Sequence, residues 1–129
     1  MREKKTITDA LKASEGRLRK LLYVVTSTAN GGFGPIKENI QAHLEYLGTL
    51  ESSGTLFMAG PLFDEEPDSW SGDGLLIYNA SSLEEATRIA EADPLHRSGA
   101  RSYSIRPWLL NDGCMNLTFH FSDQKIAVE

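Results

Sequence analysis

Residues 21–26, which read LLYVVT, form a continuous apolar, β-branched and aromatic run. A strand with one wet face alternates apolar and polar residues, whereas an unbroken run is typical of a strand that is buried on both faces. At 129 residues the chain has the length of one ordinary domain, so a second independent core is not expected. The run therefore predicts the central strand of a single fold.

Helix and strand patterns alternate after this run. Residues 36–53 carry apolar residues at helical spacing, and a capping sequence at Ser82 opens a second helix that runs to about Ala92. Further strand patterns occupy residues 55–60, 74–79 and 101–110. The order strand, helix, strand, strand, helix, strand predicts an α+β fold of the ferredoxin-like split βαβ (βαββαβ) type, an antiparallel sheet with both helices on one face. Right-handed crossovers place the first and third strands in the centre and the fourth at an edge, where Pro107 is tolerated.

This α+β domain is expected to cover residues 20–112. Residues 1–19 are predicted to form an N-terminal extension that is helical, with Thr8 or Asp9 as its cap. Residues 113–129 are predicted to form a C-terminal extension, because apolar and polar residues alternate over 115–122 and a short partner strand can follow.

Charge and composition exclude several classes of function. The net charge of -5 and the isoelectric point near 5.2 argue against nucleic acid as a partner, because phosphate binding needs a basic face. No apolar run approaches the length of a membrane span or a signal peptide, so we expect a cytoplasmic protein without membrane partners. A single cysteine excludes an intrachain disulfide framework.

No cofactor and no metal are expected. Residues 31–35 are glycine-rich and follow a strand, but they lack both the P-loop sequence and the dinucleotide-binding spacing. A metal site formed by His43, Asp93 and His96 has suitable ligand types, yet no diagnostic spacing supports it.

His43 and Asp93 are the strongest candidates for chemistry. At 100° per residue, His43 lies within the apolar stripe of the first long helix and faces the sheet. Asp93 projects to the same side from the end of the second helix, where its charge opposes the helix dipole, so helix stability does not explain it. An aspartate bound to one imidazole nitrogen makes the other a better base, which suits a catalytic dyad. The residues alone leave a purely structural pair as the alternative.

The other candidates are weaker. His96 is either a second acid/base group or a surface residue that follows a helix break. Arginine grips carboxylates and phenolates through paired hydrogen bonds, and aromatic side chains stack on planar rings. The residues considered for these two roles are Arg97, Arg101 and Arg106 for an anion and Tyr103 and Trp70 for a ring.

Three segments together resemble the YCII-related family: HLEYL at 43–47, SGTLFMAGP at 53–61 and ADPLH at 92–96. The resemblance spans about residues 20–110. It implies a dimeric α+β barrel whose pocket holds a histidine and an aspartate, here His43 and Asp93, and it adds Gly60 and Pro61 as pocket residues. One relative in that family is a dehydrochlorinase that acts on a chlorinated hydroxyhydroquinone.

Our first hypothesis is a cofactor-independent enzyme of the lyase, isomerase or dehydrochlorinase type. In it, His43 moves a proton on a small cyclic or aromatic metabolite, Asp93 orients His43, and an arginine holds the substrate's negative charge. The alternative is a non-catalytic ligand-binding or regulatory dimer that uses the same pocket, and a purely structural dimer is a third hypothesis. A homodimer is expected because the helix-free sheet face would otherwise leave a large apolar patch exposed.

Overall fold

A computed structural model describes residues 2–66 and 68–129 of the chain. It divides into two compact units, Leu21–Leu109 and a smaller one composed of Met1–Lys20 and Leu110–Glu129. In the described ranges, no helix has both the length and the apolar character that crossing a membrane requires. The elements in chain order are α1 (Ile7–Ala13), β1 (Lys20–Ala29), α2 (Phe33–Ser52), β2 (Leu56–Pro61), β3 (Gly74–Tyr78), α3 (Leu83–Ala92), α4 (Pro94–Arg97), β4 (Arg101–Leu110), β5 (Leu117–Phe119) and β6 (Ile126–Val128).

The larger unit is built on a four-stranded sheet in the order β2-β3-β1-β4. β1 pairs antiparallel with β3, so that Tyr23 lies opposite Tyr78, and β2 pairs antiparallel with the other side of β3. The order confirms the ferredoxin-like arrangement: β1 and β3 are central, and Pro107, which has no N–H to donate, lies in the edge strand β4.

The core lies between one face of the sheet and the helices. Alternate residues of the two central strands point into it and meet small side chains of α3, which let that helix approach closely. Burying each large apolar side chain contributes roughly 1.5–3 kcal/mol. The fully or nearly buried members of this cluster are Tyr23, Val25, Leu50, Leu76, Tyr78, Ala86 and Ala90.

The other face of the sheet presents the alternate residues. Val24 and Thr26 of β1 and Leu75 and Ile77 of β3 line a shallow cavity of about 390 Å³ there. Residues 106–108 of β4 complete its wall. The central strands therefore carry apolar residues on both faces. The burial on both faces that the run at 21–26 predicts is incomplete, because Val24 is half-buried and Thr26 is exposed.

The helices of the larger unit differ from the prediction at two points. α2 begins at Phe33, so Pro35 belongs to its first turn and the glycine-rich turn is shorter than expected. Gly32 precedes the helix with a φ of 71°, a conformation that glycine adopts without steric cost. The second difference is α4, a four-residue helix that begins at Pro94, where the chain was predicted only to break. Proline is well suited to a first helical position because it has no N–H to satisfy.

The smaller unit contains α1 and a β5-β6 hairpin. The N-cap of α1 is Thr6 and not, as was predicted, Thr8 or Asp9, and Thr6 forms a reciprocal capping box with Asp9. Leu117 lies opposite Val128 in the hairpin, whose first strand covers only three of the eight residues predicted for it.

Candidate active site

His43 and Asp93 meet in the interior of the larger unit. His43 Nδ1 lies 2.7 Å from Asp93 Oδ1, and their exposed fractions are 5% and 0%. Because a carboxylate oxygen only accepts, Nδ1 carries the proton that is donated to it. In the neutral ring this leaves a lone pair on Nε2, and the His43 side chain lines a cavity. The pair thus has the tautomer that a general base requires.

Asp93 is positioned by the junction of two helices. It is the last cap of α3 and the first cap of α4, and its Oδ1 also accepts from the Leu95 backbone N–H at 2.9 Å. The structure therefore supplies a local role that the sequence reasoning missed, because the carboxylate sits at the positive end of α4. Among the described residues, no group hydrogen-bonds to the second carboxylate oxygen, Oδ2, although it is buried.

A hydroxyl joins the helices that carry this pair. Tyr46, one turn after His43 on α2, donates its hydroxyl hydrogen to the Ile89 carbonyl of α3 at 2.7 Å. Burial and the nearby Asp93 charge raise the pKa of Tyr46, so it stays a neutral donor. Periodicity could have indicated this residue, since i and i+3 positions share a helix face.

His96 is buried, with 9% of its surface exposed, and both of its ring nitrogens have protein partners. Nδ1 lies 2.8 Å from the Ala90 carbonyl, which fixes the proton on that nitrogen, and Nε2 accepts from the Ser27 hydroxyl at 2.6 Å. The ring packs on Tyr103 with centroids 4.6 Å apart. Burial lowers the pKa of His96, although the Ala90 hydrogen bond and the Asp93 charge counteract part of this effect, and the Arg101 charge lowers the pKa further.

The cavity beside His43 has a volume of about 310 Å³. Its walls come from α2, from β2 and β3, and from the loop between these strands. Most of its lining is apolar. The lining residues are Ile40, His43, Leu44, Leu47, Ala59, Gly60, Pro61, Trp70, Gly74, Leu75, Leu76 and Arg101. A space of this size, with a histidine and an arginine in a mainly apolar wall, suits a small organic ligand.

The loop wall of the cavity is held by specific contacts. Trp70 donates its indole N–H to the Asp73 carbonyl at 2.7 Å, and its ring meets Phe33 edge-on at 5.2 Å. Asp73 in turn accepts from the Ala29 N–H at 2.9 Å. Gly72 has a φ of 103°, and a Cβ there would lie 2.5 Å from Ile36 Cδ1, so a larger residue would not fit.

The structure brings some of the predicted site residues together and separates others. Gly60, Pro61 and Arg101 line the cavity with His43. Arg106 lines the cavity on the other face of the sheet. Arg97 is exposed on α4, outside both cavities. In the described part of the chain, no set of three histidine, cysteine, aspartate or glutamate side chains is arranged to hold a metal ion.

The comparisons with known proteins agree with this fold. A solved structure of a 5-chloro-2-hydroxyhydroquinone dehydrochlorinase (TftG) from Burkholderia phenoliruptrix AC1100, in complex with 2,5-dihydroxybenzoquinone, superimposes with a TM-score of 0.58. It is 23% identical, and the match covers 67% of this chain and 92% of that one. At this identity the likeness concerns the fold.

The sequence comparisons establish the family. The uncharacterized protein YjpA of Bacillus subtilis (strain 168) is 36% identical over 74 residues, which are 57% of this chain and 80% of that protein. The family model for the YCII-related domain matches residues 21–109. The match covers more than half of the chain and confirms the resemblance seen in its motifs, so the chain belongs to the YCII-related family.

Proposed function

We propose that the protein is a cofactor-independent enzyme that transfers a proton on a small cyclic or aromatic metabolite. The observation that carries this proposal is the 2.7 Å contact between Asp93 and His43 beside a cavity that His43 lines. Family membership supports it, and so does the named activity of the structural neighbour, a dehydrochlorinase of a small aromatic compound.

His43 is the proposed general base. Its Nε2 lone pair removes a proton from an O–H or C–H group of the substrate, and the electron pair left behind moves into the ring or enolate. In the dehydrochlorination of a chlorinated hydroxyhydroquinone, one hydroxyl proton first moves to the ring carbon that carries chlorine. Transfer of a second hydroxyl proton to His43 then expels chloride with the carbon–chlorine bonding pair, so that the net loss is HCl. The Asp93 carboxylate stabilises the imidazolium that forms, because the two charges lie within hydrogen-bond distance in a buried site.

In this proposal His96 has a supporting structural role, and it is neither the second acid/base group nor the surface residue considered from the sequence. Its two nitrogens are used by Ala90 and Ser27, so it has no lone pair or proton directed at a ligand. Ala90 belongs to the last turn of α3, next to Asp93. The His96 contacts therefore help to hold the end of the helix from which Asp93 projects.

The test is a comparison of the wild type with His43→Gln. Trial substrates begin with 5-chloro-2-hydroxyhydroquinone, read by chloride release, and continue with small cyclic enols, read by deuterium incorporation from D₂O. We expect the variant to lose about 10²–10⁴-fold in rate while it still binds ligand. Turnover that survives the substitution would contradict the assignment of His43 as the base.

The same experiment separates the enzyme from the alternative of a ligand-binding or regulatory dimer. If a small ligand binds in the cavity and neither the wild type nor the variant turns over any trial compound, the binding protein becomes the better description. Ligand affinity is measured by calorimetry on both proteins, so that loss of binding is not mistaken for loss of catalysis.

We also propose that two copies pair through the helix-free face of the sheet. The support is the apolar lining of the 390 Å³ cavity by Val24, Leu75, Ile77 and Trp108. A surface of this kind is usually covered in solution. Sedimentation velocity of the wild type and of Val24→Arg tests the pairing: a dimer that becomes a folded monomer in the variant supports it, and a wild-type monomer contradicts it.

A further inference from the structure

Arg101 is a buried cation beside the proposed base. It begins β4, only 5% of its surface is exposed, and its side chain lines the same cavity as His43. Its Nε donates to the Gly72 carbonyl at 2.8 Å. None of the ion pairs formed by the described residues includes Arg101. A guanidinium has further N–H donors on its two terminal nitrogens, and burial without an opposing carboxylate is costly for it.

Burial lowers the pKa of Arg101, and the more distant charges of Asp93 and Asp73 counteract this effect. The guanidinium nevertheless stays protonated, since arginine keeps its charge in proteins. An anion bound in the cavity would offset the desolvation of this charge through paired, charge-assisted hydrogen bonds.

The Arg101 guanidinium lies against Gly74, in the space that a side chain at position 74 would occupy. A Cβ placed on Gly74 would lie 2.7 Å from Arg101 Nη1 and 3.2 Å from Cζ. Gly74 is paired with Ser27 on one side and with Pro61 on the other, so the strand cannot move away. The flexible end of Arg101 would have to move instead. The position does not need glycine for its backbone conformation, because its φ is not positive, so the absence of a side chain matters for Arg101.

The rest of the cavity narrows the ligand class. His43 and Arg101 are the titratable side chains in its lining, and the Trp70 indole N–H is already donated to Asp73. The other lining residues are two glycines and residues with apolar side chains. A ligand with many hydroxyl groups or several phosphates would leave polar atoms unpaired there, which disfavours its binding.

We propose that Arg101, packed against Gly74, binds the negative charge of the substrate; this inference rests on the proposed function. The substrate is then a compact monoanion, with a phenolate, enolate or carboxylate group on an otherwise apolar body. The other two arginines considered from the sequence are poorly placed for this role. Arg97 is exposed on α4, and Arg106 lines the cavity on the opposite face of the sheet.

Benzoate and benzamide test the anchor, because they share a ring and differ in charge. Calorimetry or ligand-observed NMR gives the ratio of their affinities, measured up to the solubility limit of each. We expect the wild type to prefer benzoate by about tenfold or more, the effect of a hydrogen bond to a charged group. Gly74→Ala, which retains the arginine but displaces it, and Arg101→Gln should both bring the ratio close to unity.

Two matched controls keep the result specific. Gly60→Ala adds a methyl group to another part of the same cavity wall, where nothing lies within 4 Å of it. It should change both affinities in parallel and leave the ratio intact. Arg97→Gln removes an exposed arginine and should also retain the ratio. Circular dichroism checks that each variant folds. If Arg101→Gln does not fold, the affinity ratio of Gly74→Ala tests the role of Arg101, and if neither variant folds, the wild-type ratio of benzoate to benzamide affinity tests it.

The anchor and the base can fail separately. His43→Gln should keep the preference for benzoate even though it loses turnover, so a protein that selects the anion without catalysis would retain the anchor and reject the enzyme. Three outcomes would overturn the role of Arg101, whatever the catalytic result. The wild type binds benzoate and benzamide equally, it binds neither, or the affinity ratio is unchanged in folded Gly74→Ala and Arg101→Gln.

Discussion

The regions around His43 and His96 are two buried histidine sites with different hydrogen bonding. Their exposed fractions are similar, 5% and 9%. His96 uses both ring nitrogens within the protein, whereas the hydrogen bond of His43 runs from Nδ1 to Asp93 and its side chain borders a cavity. Burial alone therefore does not distinguish the two histidines. The informative feature is a nitrogen that remains available next to space for a ligand.

Local structure explains the difference. In the final turn of α3 the Ala90 carbonyl accepts from the Asp93 N–H at 3.2 Å, and its second lone pair remains available to another donor. His96, two residues into α4, reaches back to that carbonyl. His43 lies in the middle of α2, where the backbone groups are already paired, so its ring has to find a partner on another element.

After His43→Gln, Asp93→Asn should give the largest effect. Asparagine can still accept from His43, but it cannot balance the imidazolium charge, and its amide brings N–H donors to a site where Oδ2 has no partner among the described residues. We expect the rate to fall by on the order of 10²-fold or more and the free energy of unfolding to fall by about 1–3 kcal/mol. Steady-state kinetics and urea denaturation measure the two effects. An unchanged rate in a folded variant would make the pair structural.

His96→Phe should affect stability and spare the reaction. The substitution leaves the Ser27 hydroxyl without its partner, at a cost of about 1–3 kcal/mol if the hydroxyl stays buried. The Ala90 carbonyl loses one of its two donors and keeps the Asp93 N–H. Ser27→Ala is the milder control, because it removes one donor and should cost about 1 kcal/mol. A rate loss as large as that of Asp93→Asn, in a variant of normal stability, would return His96 to the acid/base role predicted from the sequence.

Acidification should act on stability through His96. Burial lowers its pKa in the folded protein below the ordinary value of 6.5, so the unfolded chain binds a proton more readily than the folded one. The stabilisation is complete above pH 6.5 and is lost as the pH falls from 6.5 towards the folded pKa. Urea denaturation of the wild type across this pH window should show a falling free energy of unfolding. In His96→Phe the free energy of unfolding should depend less steeply on pH, because the histidine that titrates is absent. Identical slopes would argue against a neutral, buried His96.

Tyr46→Phe should have the smallest effect. It removes the single hydrogen bond from α2 to the Ile89 carbonyl and keeps the ring in place, so we expect a loss of about 0.5–1.5 kcal/mol in the free energy of unfolding. The rate should decrease only slightly, because the contact between His43 and Asp93 does not include the hydroxyl. Thermal denaturation and kinetics of the same preparation compare the two outcomes, and a severe rate loss would show that the spacing of α2 and α3 controls the dyad.

The sequence predicted the strand order well, because hydrophobic period and crossover handedness leave few arrangements for this pattern. It placed Pro107 correctly in an edge strand and identified the apolar stripe of α2. It missed α4, since a proline after a helix predicts an end as readily as a new first turn. It also missed Gly74, because a glycine at a strand entry gives no signal for a side chain that approaches from another strand.

What the sequence by itself determined is the family, the α+β arrangement and the helical phase that directs His43 towards the sheet, because period and motif are local properties. Only the tertiary structure decided which nitrogens are occupied and which arginine shares a cavity with His43. Asp93 and His43 are 50 positions apart, and Arg101 and Gly72 are 29 apart. Contacts between such distant positions depend on side-chain directions and packing distances, which exist only once the sheet and helices are assembled.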